Sequence, residues 1–183
     1  MDSTDNHARL LKCSVAVSPP DMVIEQVRQL KQKLRSYIGW FNSVNALAHI
    51  TFNVFQTNSE TLTLWEAYMN HFAAQQSPAP LRFNHTGTFA GGAFFLAPDK
   101  TSERILVEMM KAFHNDAPLP ARQSVTPHIS IGRRLTVYQL SVARKLIPEA
   151  DIHFVCSDIV LRRFNEDLKQ YDIYRRFNFE EIR

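Results

Sequence analysis

Residues 126–133, TPHISIGR, and residues 48–52, AHITF, are the two stretches that decide the fold of this chain. Each contains a histidine, an apolar residue, a hydroxyl residue and a second apolar residue, and such alternation is typical of a β-strand. Side chains two residues apart lie on one face of a strand, about 6.6–6.8 Å from each other. Two such strands facing each other would bring two imidazoles and two hydroxyls to one cleft. The pairs that share a face are His49 with Thr51 and His128 with Ser130.

A single histidine strand of this kind is most often only structural, but the pair carries more information. His49 and His128 are 79 residues apart, and the predicted elements repeat with the same period. Each half reads strand, helix, histidine strand, helix, strand. Val15 shifted by 79 falls on Phe94, inside the strand that follows Gly92. An internal repeat places equivalent residues around a pseudo-twofold axis, so we expect the two histidines on opposite walls of one groove.

The apolar pattern also predicts four helices and the strands that flank them. The first helix is predicted to end at Gly39, with Lys31 outside its buried face. The capping box Thr136-x-x-Gln139 is predicted to start the fourth helix. Residues 152–162 are predicted to form one strand. The predicted buried face of the first helix comprises Val23, Val27, Leu30 and Leu34.

The composition is that of an ordinary globular protein. The 183 residues are 45% hydrophobic and 21% charged, with a formal net charge of +3. Arginines stand in three doublets, which predicts local positive patches suited to an anionic ligand. The doublets are Arg133-Arg134, Arg162-Arg163 and Arg175-Arg176.

Cysteine usage and hydropathy predict the compartment. Cys13 and Cys156 are the only cysteines, and their spacing fits neither a disulfide framework nor a metal site. Residues 1–9 are polar and lack the apolar stretch of a signal peptide. No apolar run reaches the length that spans a membrane. We therefore predict a soluble, cytoplasmic monomer that has no membrane contact.

The two histidine stretches, their separation and the element order resemble the two-histidine (2H) phosphoesterase superfamily, and within it the 2'-5' RNA ligase-like branch. The resemblance implies an α+β fold: a bilobal, pseudo-twofold duplicated unit whose mostly antiparallel sheets line a central cleft, with helices packed outside. We expect a single domain over residues 1–183, with lobes at about 10–92 and 93–183 that are free to exchange strands.

The resemblance also implies a metal-independent and cofactor-independent reaction on RNA or nucleotides with 2',3'-cyclic phosphates or 2'-5' phosphodiester bonds. In this family the two histidines, here His49 and His128, act as general acid and base. The hydroxyls of Thr51 and Ser130 hold the phosphate oxygens. Analogy with the family favours His128 as the base that activates water and His49 as the acid, although the residues themselves leave this assignment open.

Three further residues are candidate substrate contacts. The family often has a phosphate-binding arginine five places after its second histidine, and Arg133 stands there. In a regular strand this odd offset would turn Arg133 to the opposite face, so either Gly132 permits a bulge or Arg134 is the phosphate ligand. The family's base-stacking phenylalanine follows its first histidine by five places. Here Val54 occupies that place and Phe55 comes next, so Phe55 is the displaced candidate.

Other functions remain open at this point. A noncatalytic RNA-binding or nucleotide-binding module would use the same cleft without turnover. A metal hydrolase would use the two histidines as ligands, but no acidic residue or cysteine stands beside them at metal-site spacing. Ligation, as the reverse of hydrolysis, would use the same chemistry.

Overall fold

The computed structural model describes residues 10–180, and it contains nine strands and four helices. Residues 1–9, for which we predict no signal peptide, lie outside the described residues, as do residues 181–183. In chain order the elements are β1 (Leu11–Val17), α1 (Asp21–Ile38), β2 (Ile50–Thr57), α2 (Ser59–Ala74), β3 (Ala79–Phe89), β4 (Ala93–Pro98), α3 (Lys100–Asn115), β5 (Arg122–Gln123), β6 (Ile129–Gly132), α4 (Val137–Leu146), β7 (Ile152–Cys156), β8 (Asp158–Asn165) and β9 (Gln170–Asn178).

The strands form two antiparallel sheets. The first has the order β5-β2-β1-β8-β9 and the second has the order β6-β4-β3-β7. The helices bury apolar stripes: α2 against β8 and β9, and α3 against β3 and β4. The predicted α+β fold with mostly antiparallel sheets is therefore confirmed. β3 belongs to the predicted first lobe but lies in the second sheet, whereas β8 and β9 belong to the predicted second lobe but lie in the first sheet. The lobe limits 10–92 and 93–183 stay a prediction.

The 79-residue repeat is preserved in the strand register. In the first sheet Val15 pairs with Asn53, and in the second sheet Phe94 pairs with Gly132. These four positions are related by a shift of 79. The next pairs, Ala16 with Thr51 and Phe95 with Ser130, are related in the same way. The pseudo-twofold duplication therefore extends to individual backbone pairs.

Both histidine strands contain a bulge at the same place in this register. Phe52 in β2 and Ile131 in β6 have no partner across the ladder. An extra residue of this kind reverses the alternation of side chains beyond it. Regular alternation would place Asn53 on the same face as His49 and Thr51, but the bulge turns it inward and it is fully buried.

Three element predictions need correction. Residues 152–162 do not form one strand, because β7 ends at Cys156 in the second sheet and β8 begins at Asp158 in the first. Lys31 is buried on the same stripe as Val23, Val27 and Leu34, where its spacing places it. The short strand β5 was not predicted. Gly39 does cap α1, and Thr136 forms the predicted capping box with Gln139.

The turn between β3 and β4 relies on two glycines with positive φ, Gly91 at +84° and Gly92 at +81°. Gly92 also lies against the backbone of Leu135, whose N–H donates a hydrogen bond to the Gly92 carbonyl at 2.9 Å. A Cβ on Gly92 would be 2.2 Å from the Leu135 carbonyl oxygen, whereas a Cβ on Gly91 would meet nothing within 4 Å. This contact joins the β3–β4 turn to the segment that follows β6.

Candidate active site

A cleft of about 470 Å³ lies between the two sheets, and residues from both histidine strands line it. Thr51 and Val54 come from β2, and Ser130 comes from β6. His49 and His128 stand immediately before these strands and line the same cleft. The structure therefore brings together the four residues that were predicted to be catalytic.

The two histidine rings are held in the same way. Nδ1 of His49 lies 2.7 Å from the carbonyl oxygen of Leu47, and Nδ1 of His128 lies 2.8 Å from that of Thr126. A carbonyl only accepts, so Nδ1 carries the hydrogen and donates it in both rings. The unprotonated Nε2 of each neutral ring is left for a ligand in the cleft. Each carbonyl belongs to the residue two positions before its histidine, so this contact is also part of the repeat.

The surroundings of the two rings differ. The ring of His128 lies 5.1 Å from the ring centroids of both Phe89 and Phe95. Burial lowers the pKa of His49 well below its usual range, and the Arg162 guanidinium lowers it further. Burial also lowers the pKa of His128, with a smaller contribution in the same direction from Arg133. Both shifts favour the neutral form of the rings in the free protein.

The bulge in β6 explains the position of Arg133. Ile131 has no partner in the ladder, Gly132 faces the core against Leu135, and Arg133 is then directed into the cleft. The backbone N–H of Arg133 donates to the carbonyl of Asn42 at 3.1 Å and fixes this end of the strand. Of the two alternatives left open by the sequence, the bulge is the one observed.

Two predicted substrate contacts do not reach the cleft. Arg134 has a φ of +55°, is exposed and is absent from the lining of the cleft. Phe55 is only 5% exposed and stacks on Trp65 with ring centroids 4.2 Å apart. It belongs to the core, because the bulge in β2 turns Val54 to the cleft instead. Val54 is the repeat counterpart of Arg133.

Two buried cations in the cleft were not among the predicted site residues. Lys31 is 2% exposed, and its ammonium donates to the carbonyls of Ser43 and Ala46 at 3.0 and 2.6 Å. Arg162 is 6% exposed and donates to the hydroxyl of Ser14 at 2.9 Å. The signal for Lys31 was its four-residue spacing from Val27. For Arg162 the signal was the arginine doublet, which did not indicate which arginine faces inward.

The lining of the cleft is strongly positive. Among residues 10–180 no Asp or Glu lines it, whereas five cationic side chains do. These are Lys31, Arg122, Arg133, Arg162 and Lys169. Two imidazoles, two hydroxyls and this positive field suit proton transfer around a bound phosphate.

Two further properties of residues 10–180 concern metal binding and membrane-spanning helices. Over residues 10–180, no three His, Cys, Asp or Glu side chains are grouped closely enough to hold a metal ion. No helix in that range is long and apolar enough to cross a membrane.

Comparison with known proteins identifies relatives of the chain. The family model described as the 2'-5' RNA ligase superfamily matches residues 19–168. Among solved structures, TT0787 of Thermus thermophilus is 17% identical, with a TM-score of 0.66 over 94% of this chain and 100% of that one. E. coli LigT complexed with 3'-AMP is 14% identical, with a TM-score of 0.68 over 94% and 100% of the two chains. No curated protein is similar enough to count as a match.

Proposed function

Because the chain belongs to the 2'-5' RNA ligase superfamily, we propose that it is a phosphodiesterase that hydrolyses 2',3'-cyclic phosphates or 2'-5' phosphodiester bonds of RNA or nucleotides. Membership of the superfamily supports phosphodiesterase-type activity. The finer assignment rests on the matched histidines, each with Nδ1 fixed by a backbone carbonyl and Nε2 left for the cleft. E. coli LigT has been solved with 3'-AMP and with phosphate, and both are ligands of the same chemical class as the proposed products.

In the proposed hydrolysis, one imidazole takes a proton from the attacking water through Nε2. The water oxygen bonds to phosphorus, and the bond from phosphorus to one ribose oxygen breaks. The second imidazole, which enters protonated, gives its proton to that leaving oxygen. Thr51, Ser130 and Arg133 stabilise the charge on the nonbridging oxygens. Since both rings present the same atom, the same geometry serves the reverse of 2'-5' bond hydrolysis, which is ligation.

The test of this function is turnover of nucleoside 2',3'-cyclic phosphates and 2'-5' linked dinucleotides in buffer that contains a chelator. We expect each substrate to give a phosphomonoester and one free hydroxyl group, at a rate that the chelator does not change. Binding of these compounds without any turnover would instead support the noncatalytic module. A rate abolished by chelator and restored by a divalent ion would contradict the metal-independent mechanism.

The same turnover should depend on pH in a defined direction. Catalysis needs one neutral and one protonated histidine, and this singly protonated pair is most abundant between the two histidine pKa values. Since burial and neighbouring cations lower both values below 6.5, we expect kcat/KM to be greatest below pH 6.5 and to fall as the pH rises. A kcat/KM that continues to rise through pH 8 would contradict a paired-histidine mechanism.

Arg133 and Arg134 provide a matched comparison. We expect Arg133→Gln to lower kcat/KM for a cyclic phosphate about 10- to 100-fold, which is the usual effect of losing a hydrogen bond to a charged group. Arg134→Gln should change kcat/KM by less than about twofold, because this side chain is exposed outside the cleft. Steady-state kinetics of both variants measure the difference, and a larger loss in Arg134→Gln would reverse the assignment.

A further inference from the structure

The cleft carries more positive charge than the reacting phosphate requires. A cyclic phosphate has a single negative charge, whereas five cationic side chains line the cleft. Arg133 and the hydroxyls of Thr51 and Ser130 already supply donors for the nonbridging oxygens. Of the other four cations, Arg162 and Lys31 are more than nine-tenths buried. Buried cations are costly to the fold unless something compensates them.

The buried charge of Arg162 has fewer compensating hydrogen bonds than that of Lys31. Its guanidinium donates to the Ser14 hydroxyl and lies 5.3 Å from the centroid of the Tyr171 ring. Its Nε is buried and has no hydrogen-bond partner in residues 10–180. Within the same range it makes no salt bridge to a carboxylate. Burial lowers the pKa of Arg162 to about 10, so the protein keeps a cation in a place that disfavours its charge.

Lys31 has a structural role that accounts for most of its bonding capacity. Two of its three N–H donors bind the carbonyls of Ser43 and Ala46. Ser43 in turn donates through its hydroxyl to the Ile131 carbonyl at 3.2 Å. Lys31 thus fixes the loop before the first histidine against the second histidine strand. Arg162 is then the buried cation of the cleft for which no role has been given.

The internal repeat shows which half of the cleft Arg162 serves. Ser14 pairs with Arg162 in the first sheet, and its repeat counterpart Ala93 pairs with Phe89 in the second. Arg162 therefore occupies the place beside His49 that the apolar Phe89 occupies beside His128. The histidines and hydroxyls, which are duplicated, suit the reacting phosphate between them. A residue that breaks this symmetry suits a part of the substrate present on one side only.

The positive charge continues across the first sheet. Arg122 pairs with Val54, Val54 pairs with Ser14, and Ser14 pairs with Arg162. Directly paired residues share one face of a sheet, so the two arginines lie in one row on the cleft side. At about 4.8 Å between strands, three spacings separate their Cα atoms by about 14 Å. A row of this length fits an extended anion better than a single phosphate.

We propose that Arg162 binds a second, non-reacting phosphate of the substrate. The preferred substrate would then be an RNA end or a nucleotide with a phosphate on the 5' oxygen of the ribose that carries the cyclic phosphate. This inference rests on the proposed function and narrows its substrate class. Arg162 becomes a specificity residue, and its planar guanidinium suits two-point contact with phosphate.

The kinetic test uses adenosine 2',3'-cyclic phosphate with and without a 5'-phosphate. We expect kcat/KM of the wild type to be at least about 10-fold higher for the 5'-phosphorylated compound, as a charge-assisted hydrogen bond provides. Arg162→Gln should remove most of this preference, and Arg162→Lys should retain part of it. Arg163→Gln is the matched control, because Arg163 is the next residue and lies 4.9 Å from the Tyr174 ring instead of in the cleft. It should keep the full preference.

A binding experiment separates failure of this inference from failure of the proposed function. Calorimetry compares adenosine 3',5'-bisphosphate with adenosine 3'-monophosphate. Tighter binding of the bisphosphate by at least about 10-fold, lost in Arg162→Gln, supports the inference even if no substrate is turned over. Equal binding of both compounds by the wild type overturns it and needs no variant to fold. Equal losses for both compounds in Arg162→Gln would also overturn it, since Arg162 would then serve the reacting phosphate.

Discussion

His49→Ala and His128→Ala should each lower the turnover of a nucleoside 2',3'-cyclic phosphate by at least about 10²-fold, since a positioned acid or base contributes about 10²–10⁴-fold. Each imidazole lines the cleft, and its Nδ1 contact with a backbone carbonyl fixes the orientation of Nε2. Single-turnover kinetics measures the chemical step directly. The double variant should lose less than the product of the two single losses, because the two groups act in one step.

The control for this experiment is His153→Ala, which removes an exposed imidazole on β7 outside the cleft. It should retain wild-type turnover. Far-UV circular dichroism and thermal melting should show that all three variants fold. Near-wild-type turnover in either His49→Ala or His128→Ala would remove that histidine from the mechanism.

Gly92→Ala should destabilise the protein by at least about 2 kcal/mol more than Gly91→Ala. Both glycines have a positive φ, so each substitution has the same conformational cost of about 1–2 kcal/mol. Only at Gly92 does the added Cβ meet backbone atoms, the carbonyl oxygen and nitrogen of Leu135 at 2.2 and 2.7 Å. These atoms cannot rotate away as a flexible side chain would. Urea unfolding of the two variants measures the difference.

Phosphate affinity of the folded Gly92→Ala variant provides a second measurement. Leu135 lies two residues after Arg133, so moving its backbone should also displace the cleft end of β6. We therefore expect reduced affinity for phosphate as well as reduced stability. Equal unfolding free energies for the two alanine variants would show that the turn adjusts without disturbing Leu135.

The repeat was predictable from the sequence because it rests on strand alternation and a constant spacing. The pairs His49 with Thr51 and His128 with Ser130 lie before the bulges, where alternation is regular, and all four residues reach the cleft. Beyond the bulge in β2 the alternation fails, so Asn53 and Phe55 do not lie on the faces that regular alternation predicts. A bulge depends on pairing with a distant strand, which a local pattern does not contain.

Contacts between distant parts of the chain also explain the wrong predictions for residues 152–162 and for Lys31. The chain changes sheets at Ser157, but the apolar run on both sides of it reads as one strand. Lys31 was placed outside the buried face of α1 because it is charged, although its spacing from Val23 and Val27 was that of the buried stripe. Its ammonium is accommodated by two carbonyls of a loop that only the folded chain brings near.

The direct passage from β7 to β8 has a mechanical consequence. Ser157 alone joins the two sheets at this point, and its carbonyl accepts a hydrogen bond from the N–H of Phe179 at 2.8 Å. With so short a tether, the end of β7 and the start of β8 cannot separate by more than about 7 Å. Any movement of one sheet relative to the other therefore has to turn about this point.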